Sequence, residues 1–330
     1  MSKKNRLRAM YWACSDKPLN FMTAMIDISV IIPTFNRLAC LPDALDSVFS
    51  QPGVRVECIV VDDGSSDGTV PYIRERYKER DLIVIEKPSR SGPQVSRNLG
   101  MEVARGEFVT FLDSDDYFEP NTLAERVRLC RDGELEALFS SFRVKFVGRR
   151  WDLVKNVGKT ARDCPGDYAA ALRDFKIAPM ITIMYRRSAH EGFKLDETLA
   201  SGHDDDLALH LIRTCRFAFD DVLAATIVQH VGERVATPRN LMIGDAQLLQ
   251  KYSTDLVRLH GCGYLNRRRG QALAGLWSVG QFKRTAQLCP VAADHGSMAV
   301  ALALGVLYLP RRWWNSLRKR VMMRVVRVVL

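Results

Sequence analysis

Three carboxylates, Asp113, Asp115 and Asp116, fall within four residues directly after the apolar run Phe108-Val109-Thr110-Phe111-Leu112. Oxygen donors at this density suit a hard divalent cation, Mg²⁺ or Mn²⁺, and through it a phosphate group. A second acidic pair, Asp62-Asp63, follows the strand-like stretch Val54 to Val61. A third cluster, Asp204-Asp205-Asp206, follows Gly202-His203. A carboxylate also serves as a general base towards a hydroxyl, so one cluster can accept a proton while another helps neutralise the charge on a leaving group. The competing structural role of Asp204 to Asp206 is capping, because Leu207 and Leu211 place them at the start of a helix.

The elements that must position these groups read as alternating strands and helices. Ile28 to Ile32 is a short apolar strand followed by Pro33-Thr34-Phe35-Asn36-Arg37, and Leu41, Leu45 and Val48 then recur at helical spacing through Phe49. Val54 to Val61 is a second strand. Gly64 and Gly68 permit a tight turn into a helix through Tyr72, Ile73 and Tyr77. Leu82 to Glu86 is a third strand, Gly92 to Ala104 a loop entering a helix that carries Arg97 and Asn98, and a fourth strand ends at Asp113. Strands separated by helix-length segments imply an α/β fold with a doubly wound, mainly parallel, Rossmann-like sheet. Acidic clusters that each follow a strand then open on the same sheet edge. No G-x-x-x-x-G-K-[ST] phosphate loop, G-x-G-x-x-G turn or G-x-S-x-G elbow is present.

Further along, the spacing predicts a helix over Leu123 to Cys130, a strand over Ala137 to Val147, a strand-like run at Ile181 to Tyr185, a helix over Asp206 to Arg213 and a strand over Val222 to His230. His230 would leave that strand near the acidic clusters, where an imidazole could ligate a metal or touch a diphosphate; a structural histidine is the alternative. Arg149 to Asp174 has no clear periodicity. Asn240 to Gln287 reads as helices broken around Gly261 and Gly263. The expected organisation is a flexible extension over 1–25, a main domain over 26–239 and a helical C-terminal region over 240–330.

The composition, 330 residues with 47% hydrophobic, suits a large buried core. The formal charge of +10 is concentrated at the end, where the last twenty residues hold seven Arg or Lys and no Asp or Glu. This asymmetry argues against a nucleic-acid face on the main domain, and no aromatic RNA-platform motif is present. Met298 to Leu309 is twelve residues, about 18 Å as a helix, too short for a hydrocarbon layer of roughly 30 Å. Trp313, Trp314, Leu317, Val321, Val325 and Val328 lie near one helical face with Arg320, Arg324 and Arg327 along another, which suits an anionic membrane surface contacted through 298–330. The eight cysteines are scattered without Cys-x-x-Cys pairs, and Met1 to Met25 lacks the apolar core of a secretory signal. The expected location is cytoplasmic, peripheral on the inner face of the cell membrane.

Several segments together resemble the inverting family 2 glycosyltransferases, with their GT-A nucleotide-sugar fold. The opening signature is similar to Val30-Ile31-Ile32-Pro33-Thr34-Phe35-Asn36-Arg37, and the second to Val60-Val61-Asp62-Asp63-Gly64-Ser65-Ser66-Asp67. The third is similar to Ser96-Arg97-Asn98-Leu99-Gly100 running on through Gly106-Glu107 to Asp113-Ser114-Asp115-Asp116. The resemblance covers about Ile26 to Thr237. It implies that Pro33, Thr34 and Asp62 or Asp63 line the base pocket, with Asn36, Arg37, Arg97 and Ser114 also on the donor side. Asp113 would face the ribose, and Asp115, with Asp113 beside it, would hold Mn²⁺ or Mg²⁺ bridging the diphosphate. His230 is a further candidate ligand. The later family motif, Gly-Glu-Asp, is similar to Gly202-His203-Asp204, which makes Asp204 the general base and Asp205 its alternative; His203 stands where the family has Glu. The implied reaction is inverting transfer of a hexose-like sugar from a nucleotide-diphosphate donor, a UDP-sugar, to a glycan or lipid-linked acceptor in surface polysaccharide or glycolipid synthesis. A nucleotidyl or phosphoryl transferase built on the same metal carboxylates is the rival enzyme, and a non-catalytic nucleotide-sugar-binding protein the rival outside catalysis.

Overall fold

Ile28–Thr34 (β2) is buried at all seven positions because it is covered on both faces. Ile28, Val30 and Ile32 join one apolar core with Leu41, Ala44, Leu45 and Val48 of helix α1 (Leu41–Phe49), Val70 and Ile73 of α2 (Thr69–Arg76), and Leu123, Val127 and Cys130 of α4 (Thr122–Asp132). Ile31 points the other way, towards α3 (Pro93–Val103), where Gly100 leaves no room for a β-carbon against the Ile31 side chain. This is how a strand in a doubly covered sheet comes to read as a continuous apolar run instead of an alternating one. Full burial of each such Val, Leu or Ile contributes about 1.5–3 kcal/mol.

The protein is described by a computed structural model covering residues 11–13, 25–148, 152–157, 178–229, 237–279 and 281. These residues form two compact units. The first, which reaches residue 229 and leaves out 198–202, holds a ten-stranded sheet of order β1-β4-β3-β2-β5-β9-β7-β10-β6, with β8 paired to β7. Its strands are Tyr11–Ala13 (β1), β2, Val56–Asp62 (β3), Leu82–Glu86 (β4), Phe108–Phe111 (β5), Tyr117–Phe118 (β6), Ala137–Phe146 (β7), Asp152–Lys155 (β8), Ile183–Arg186 (β9) and Phe217–Gln229 (β10). The β4-β3-β2-β5 half is parallel throughout, as expected. Beyond β5 the sheet is mixed: β9 is antiparallel to both β5 and β7, whereas β7 and β10 are parallel. Helix α5 (His203–Thr214) completes this unit.

The second unit consists, among the described residues, of 198–202 and three helices, α6 (Pro238–Lys251), α7 (Ser253–His260) and α8 (Cys262–Ser278). Thr237 caps α6 by accepting the Asn240 N–H at 3.2 Å, with Pro238 in the first turn where no N–H is required. Gly244 lets α6 approach Ser201, and Gly275 lets α8 approach Met242.

Besides shifts of a few residues at several element ends, four parts of the sequence reading are corrected, each for a physical reason. Tyr11–Ala13 is not loose but pairs antiparallel with β4. Of Ile181 to Tyr185, the first part is a one-turn 3₁₀ helix, Met180–Thr182, and only Ile183 onward is extended. β10 starts at Phe217 and not Val222, because a bulge at Asp220-Asp221 lets acidic residues interrupt it; Asp220 bonds Ser140 Oγ at 3.0 Å and the Val222 N–H at 2.7 Å. Helix α8 resumes at Cys262, so Gly261, at φ +80°, is the break and Gly263 is not. Most of Arg149 to Asp174, His230 and the whole of 298–330 lie outside the described residues.

Candidate active site

Parallel register sets Thr34 opposite Asp62, Asp62 opposite Glu86 and Ile31 opposite Phe111, so the loops after β2, β3, β4 and β5 all leave the sheet at one edge. The acidic pair after β3 is turned into the loops. Asp62 accepts the Gly64 and Ser65 N–H groups at 3.1 and 2.8 Å and the Ser65 hydroxyl at 2.5 Å. Asp63 accepts the Ser91 and Gly92 N–H groups at 2.7 and 2.8 Å and pairs with Lys87 Nζ at 2.6 Å, both side chains being almost fully buried. These two carboxylates therefore tie the β3–α2 loop to itself and to the β4–α3 loop. Gly64 and Gly92, at φ +86° and +99°, supply the backbone that brings the N–H groups round.

Asn36, at φ +51°, links the β2–α1 loop to the same framework: its N–H donates to Ser65 Oγ at 2.8 Å and its Oδ1 accepts the Ser66 N–H at 2.9 Å. Thr34 accepts the Asp63 N–H through its carbonyl at 2.8 Å, while its buried hydroxyl has no partner among the described residues. Pro33 lies in β2 opposite Val61. The Arg90 guanidinium covers the Phe35 ring at 4.3 Å.

The carboxylates after β5 take separate partners. Asp113 pairs with the buried Arg97 at 2.5 Å, and Asp115 with Arg37 at 3.4 Å. Ser114 is buried between them in sequence. Asp116 is buried and accepts the Val228 N–H at 2.8 Å. Burial, and after it the negative charge of Asp113, push Asp116 up to about 8, against the Val228 N–H. Among the described residues no three His, Cys, Asp or Glu side chains converge on one ion position. Asp113 and Asp115 are the carboxylates that would hold a cation there, since one or two suffice where phosphate oxygens fill the remaining positions. Asp113 and Asp115 keep 49% and 27% side-chain exposure, enough to be reached.

Asp204 sits in the first turn of α5. Its carboxyl is raised above the ordinary Asp range chiefly by burial; Arg97 opposes the shift, Asp113 adds to it and the Met180 N–H opposes it. Arg97 and Asp113 both act on the Asp204 carboxyl, so it lies within electrostatic reach of them. Asp205 is half-buried and Asp206 fully buried in the same turn. His203 is buried, with Gln94 Nε2 2.6 Å from its Nε2. Lys87 and Gln94 carried no sequence signal as site residues.

The sequence profile described as "Glycosyl transferase family 2" matches residues 29–193, half of the chain. The putative glycosyltransferase EpsH of Bacillus subtilis is 31% identical over 172 residues, 51% of this chain and 49% of EpsH. The poly(ribitol-phosphate) β-N-acetylglucosaminyltransferase TarS of Staphylococcus aureus is 38% identical over 104 residues, 31% of this chain and 18% of TarS. The chain therefore spans half or less of these relatives. Residues 1–349 of TarS in complex with UDP-GlcNAc superpose with a TM-score of 0.59 at 19% identity, covering 87% of this chain and 82% of that one. The mannosyltransferase PcManGT of Pyrobaculum calidifontis, in complex with GDP-Man and Mn²⁺, superposes with a TM-score of 0.52 at 21% identity, covering 92% and 87%. Both likenesses establish the GT-A-type fold.

Proposed function

Because the chain belongs to glycosyl transferase family 2, we propose that it moves a sugar from a nucleoside diphosphate donor to an acceptor hydroxyl by a single inverting displacement, with Asp204 as general base. The observation that carries this reading is the electrostatic contact of Asp204 with Arg97 and Asp113, which joins a proton acceptor to the donor edge. A hydroxyl becomes a competent nucleophile as its proton leaves, and a carboxyl raised by burial accepts that proton better than an ordinary one. Arg97 opposes that rise, which favours the ionised form that a base needs. With the base on the face opposite the leaving diphosphate, the anomeric configuration inverts.

On the donor side, Pro33, Thr34, Asn36, Arg37, Asp62, Asp63, Arg97, Asp113 and Ser114 form the proposed nucleotide wall. The unpartnered Thr34 hydroxyl is a donor or acceptor in waiting there. Asp115, with Asp113, would hold Mn²⁺ or Mg²⁺, which when bound offsets the negative charge that grows on the leaving diphosphate. UDP-GlcNAc in TarS, and GDP-Man with Mn²⁺ in PcManGT, support a nucleotide-diphosphate sugar and a divalent cation. We take the donor to be a UDP-sugar. The poly(ribitol-phosphate) acceptor named for TarS supports a cell-surface polymer or lipid-linked glycan as acceptor. The proposed catalytic domain is 26–239, working at the cytoplasmic face of the membrane with 298–330 as its membrane contact.

The test pairs binding with turnover. A screen of nucleotide sugars with and without Mn²⁺ should find at least one that raises Tm, since a ligand that binds the native state stabilises it by mass action. Asp204→Asn should keep that shift and lose turnover by about a thousandfold or more. Full turnover in Asp204→Asn would remove Asp204 as base, and a screen in which no nucleotide sugar raises Tm would remove the donor assignment.

A further inference from the structure

We propose that Gln94 and His203 are a positioning pair that ties the base-bearing turn of α5 to the loop on the donor side; the inference rests on the reading of Asp204 above. Gln94 is the second residue of α3, and His203 opens α5, one residue before Asp204. Both residues are buried. Gln94 Nε2 lies 2.6 Å from Nε2 of the His203 ring and 3.3 Å from Nδ1. A side-chain amide suits an imidazole in either tautomer, because it offers an N–H to a ring lone pair or, turned over, its oxygen to a ring N–H. The contact therefore joins two helix starts that lie 109 residues apart in the chain. Such a bond returns little net stability, since both groups give up water to make it. Its consequence falls on geometry.

The start of α3 is itself held firmly. Asp63 takes the Ser91 and Gly92 N–H groups just ahead of it. Lys87, the buried partner of Asp63, also donates to Ser96 Oγ at 3.0 Å, and the Ser96 hydroxyl donates to the Gly92 carbonyl at 3.3 Å. Along the helix, Gln94, Arg97 and Asn98 are spaced i, i+3 and i+4, so they share one face. Arg97 pairs with Asp113. Asn98 Nδ2 donates to the Leu195 carbonyl at 3.0 Å, and its Oδ1 accepts the Leu195 N–H at 2.9 Å. One helix face thus meets a carboxylate of the donor side, the segment that precedes α5, and the first residue of α5. His203 and Asp204 are consecutive in a single helical turn. A ring fixed at 203 limits how far that turn can tilt or slide, and with it the carboxylate at 204.

Gln94→Met keeps the length of the side chain and removes the amide. With the nucleotide sugar that raises Tm as donor, it should lower kcat by about tenfold to a hundredfold, the scale of an ångström-level misplacement of a catalytic group. The donor KM and the affinity for UDP with Mn²⁺ should stay within about twofold, since the groups proposed to meet the nucleotide are unaltered. His203→Leu should lose kcat by a similar factor, and His203→Gln should recover part of it, because a second amide can still meet Gln94. The double variant Gln94→Met/His203→Leu should lose no more than the worse single one, as expected of two residues that act as a unit. The ring nitrogens of His203, followed by NMR, supply a readout that needs no turnover and should shift in Gln94→Met. Should either apolar variant not fold, Gln94→Ser, too short to reach the ring, gives the same comparison of kcat with KM. Wild-type kcat in a folded Gln94→Met, losses that multiply in the double variant, kcat and nucleotide affinity lost together, or an unshifted His203 ring would each overturn the inference. Loss of turnover in Asp204→Asn alongside normal turnover in Gln94→Met sinks this inference alone; no sugar transfer by the wild-type chain sinks the reading of Asp204.

Discussion

Asp204 and Lys87 show what burial does to single charged groups at the sheet edge. For Asp204 burial raises the carboxyl against the opposition of Arg97. A base must be ionised, so activity is present above its raised value and is lost as pH falls through it. The acidic limb of the kcat/KM profile should therefore lie above the ordinary Asp value of about 3.9. Replacing Arg97 by Gln removes a group that lowers this value, so the limb should move further up; a downward shift would contradict the assignment. Lys87 is a different case, because it and Asp63 are both buried and neutralise each other at 2.6 Å. Lys87→Met would leave Asp63 as an uncompensated buried charge, and urea denaturation should show a loss of about 3–5 kcal/mol. The variant should also loosen the β3 and β4 loops that Asp63 joins.

At the scale of elements, the strand–helix alternation from β2 to β5 was legible because each strand is a mainly apolar run, even where β3 carries the buried Glu57. Leu82–Glu86 agrees with the sequence reading to the residue. The mixed half was less legible, since Asp220-Asp221 and the Met180–Thr182 turn interrupt the periodicities that mark strands. Partners such as Lys87 and Gln94 were invisible for another reason: a single basic or amide residue on a strand end or helix gives no pattern, and its meaning comes from what the fold sets against it. Gly106, by contrast, can be argued from both sides. It belongs to a motif, and a β-carbon there would sit 2.5 Å from Ser29 N, against backbone that cannot yield cheaply. Gly106→Ala should therefore cost about 1–3 kcal/mol in urea denaturation.

The edge of the sheet opposite the site carries its own electrostatics. Arg131 of α4 pairs with Asp27 at 2.7 Å and Glu107 at 2.6 Å, and Arg186 of β9 pairs with Glu107 at 2.6 Å. Burial alone would raise both acids, but the hydrogen bonds and charges of these arginines, with the Arg55 N–H for Asp27, bring them below their ordinary values. A lowered carboxyl adds stability above the unfolded-state value of about 4 and gives it up as pH falls through the native value. Arg131→Met should cost about 1 kcal/mol or less at neutral pH, because the pairs are partly solvated. It should also flatten the decline of Tm between about pH 5 and pH 2. An unaltered acid profile would mean that these pairs contribute nothing to the transition.

For the whole molecule, the distribution of charge matters more than its total. The last twenty residues carry +7 of the formal +10, with Trp313 and Trp314 among the arginines. Each Lys or Arg near an anionic leaflet contributes about 1 kcal/mol, and the attraction decays within a Debye length of roughly 10 Å at 0.1 M salt. An acceptor carried on lipid would require the catalytic domain to be held near the membrane, and a basic, tryptophan-bearing segment can do that without crossing it. Co-sedimentation with vesicles containing phosphatidylglycerol should therefore exceed that with phosphatidylcholine alone, and should fall steeply between 0.05 and about 0.5 M salt. A chain ending at residue 310 should lose the difference while keeping its nucleotide-dependent rise in Tm. Equal sedimentation with neutral and anionic vesicles would remove the tail as a membrane contact, and the acceptor would then have to reach the site from solution.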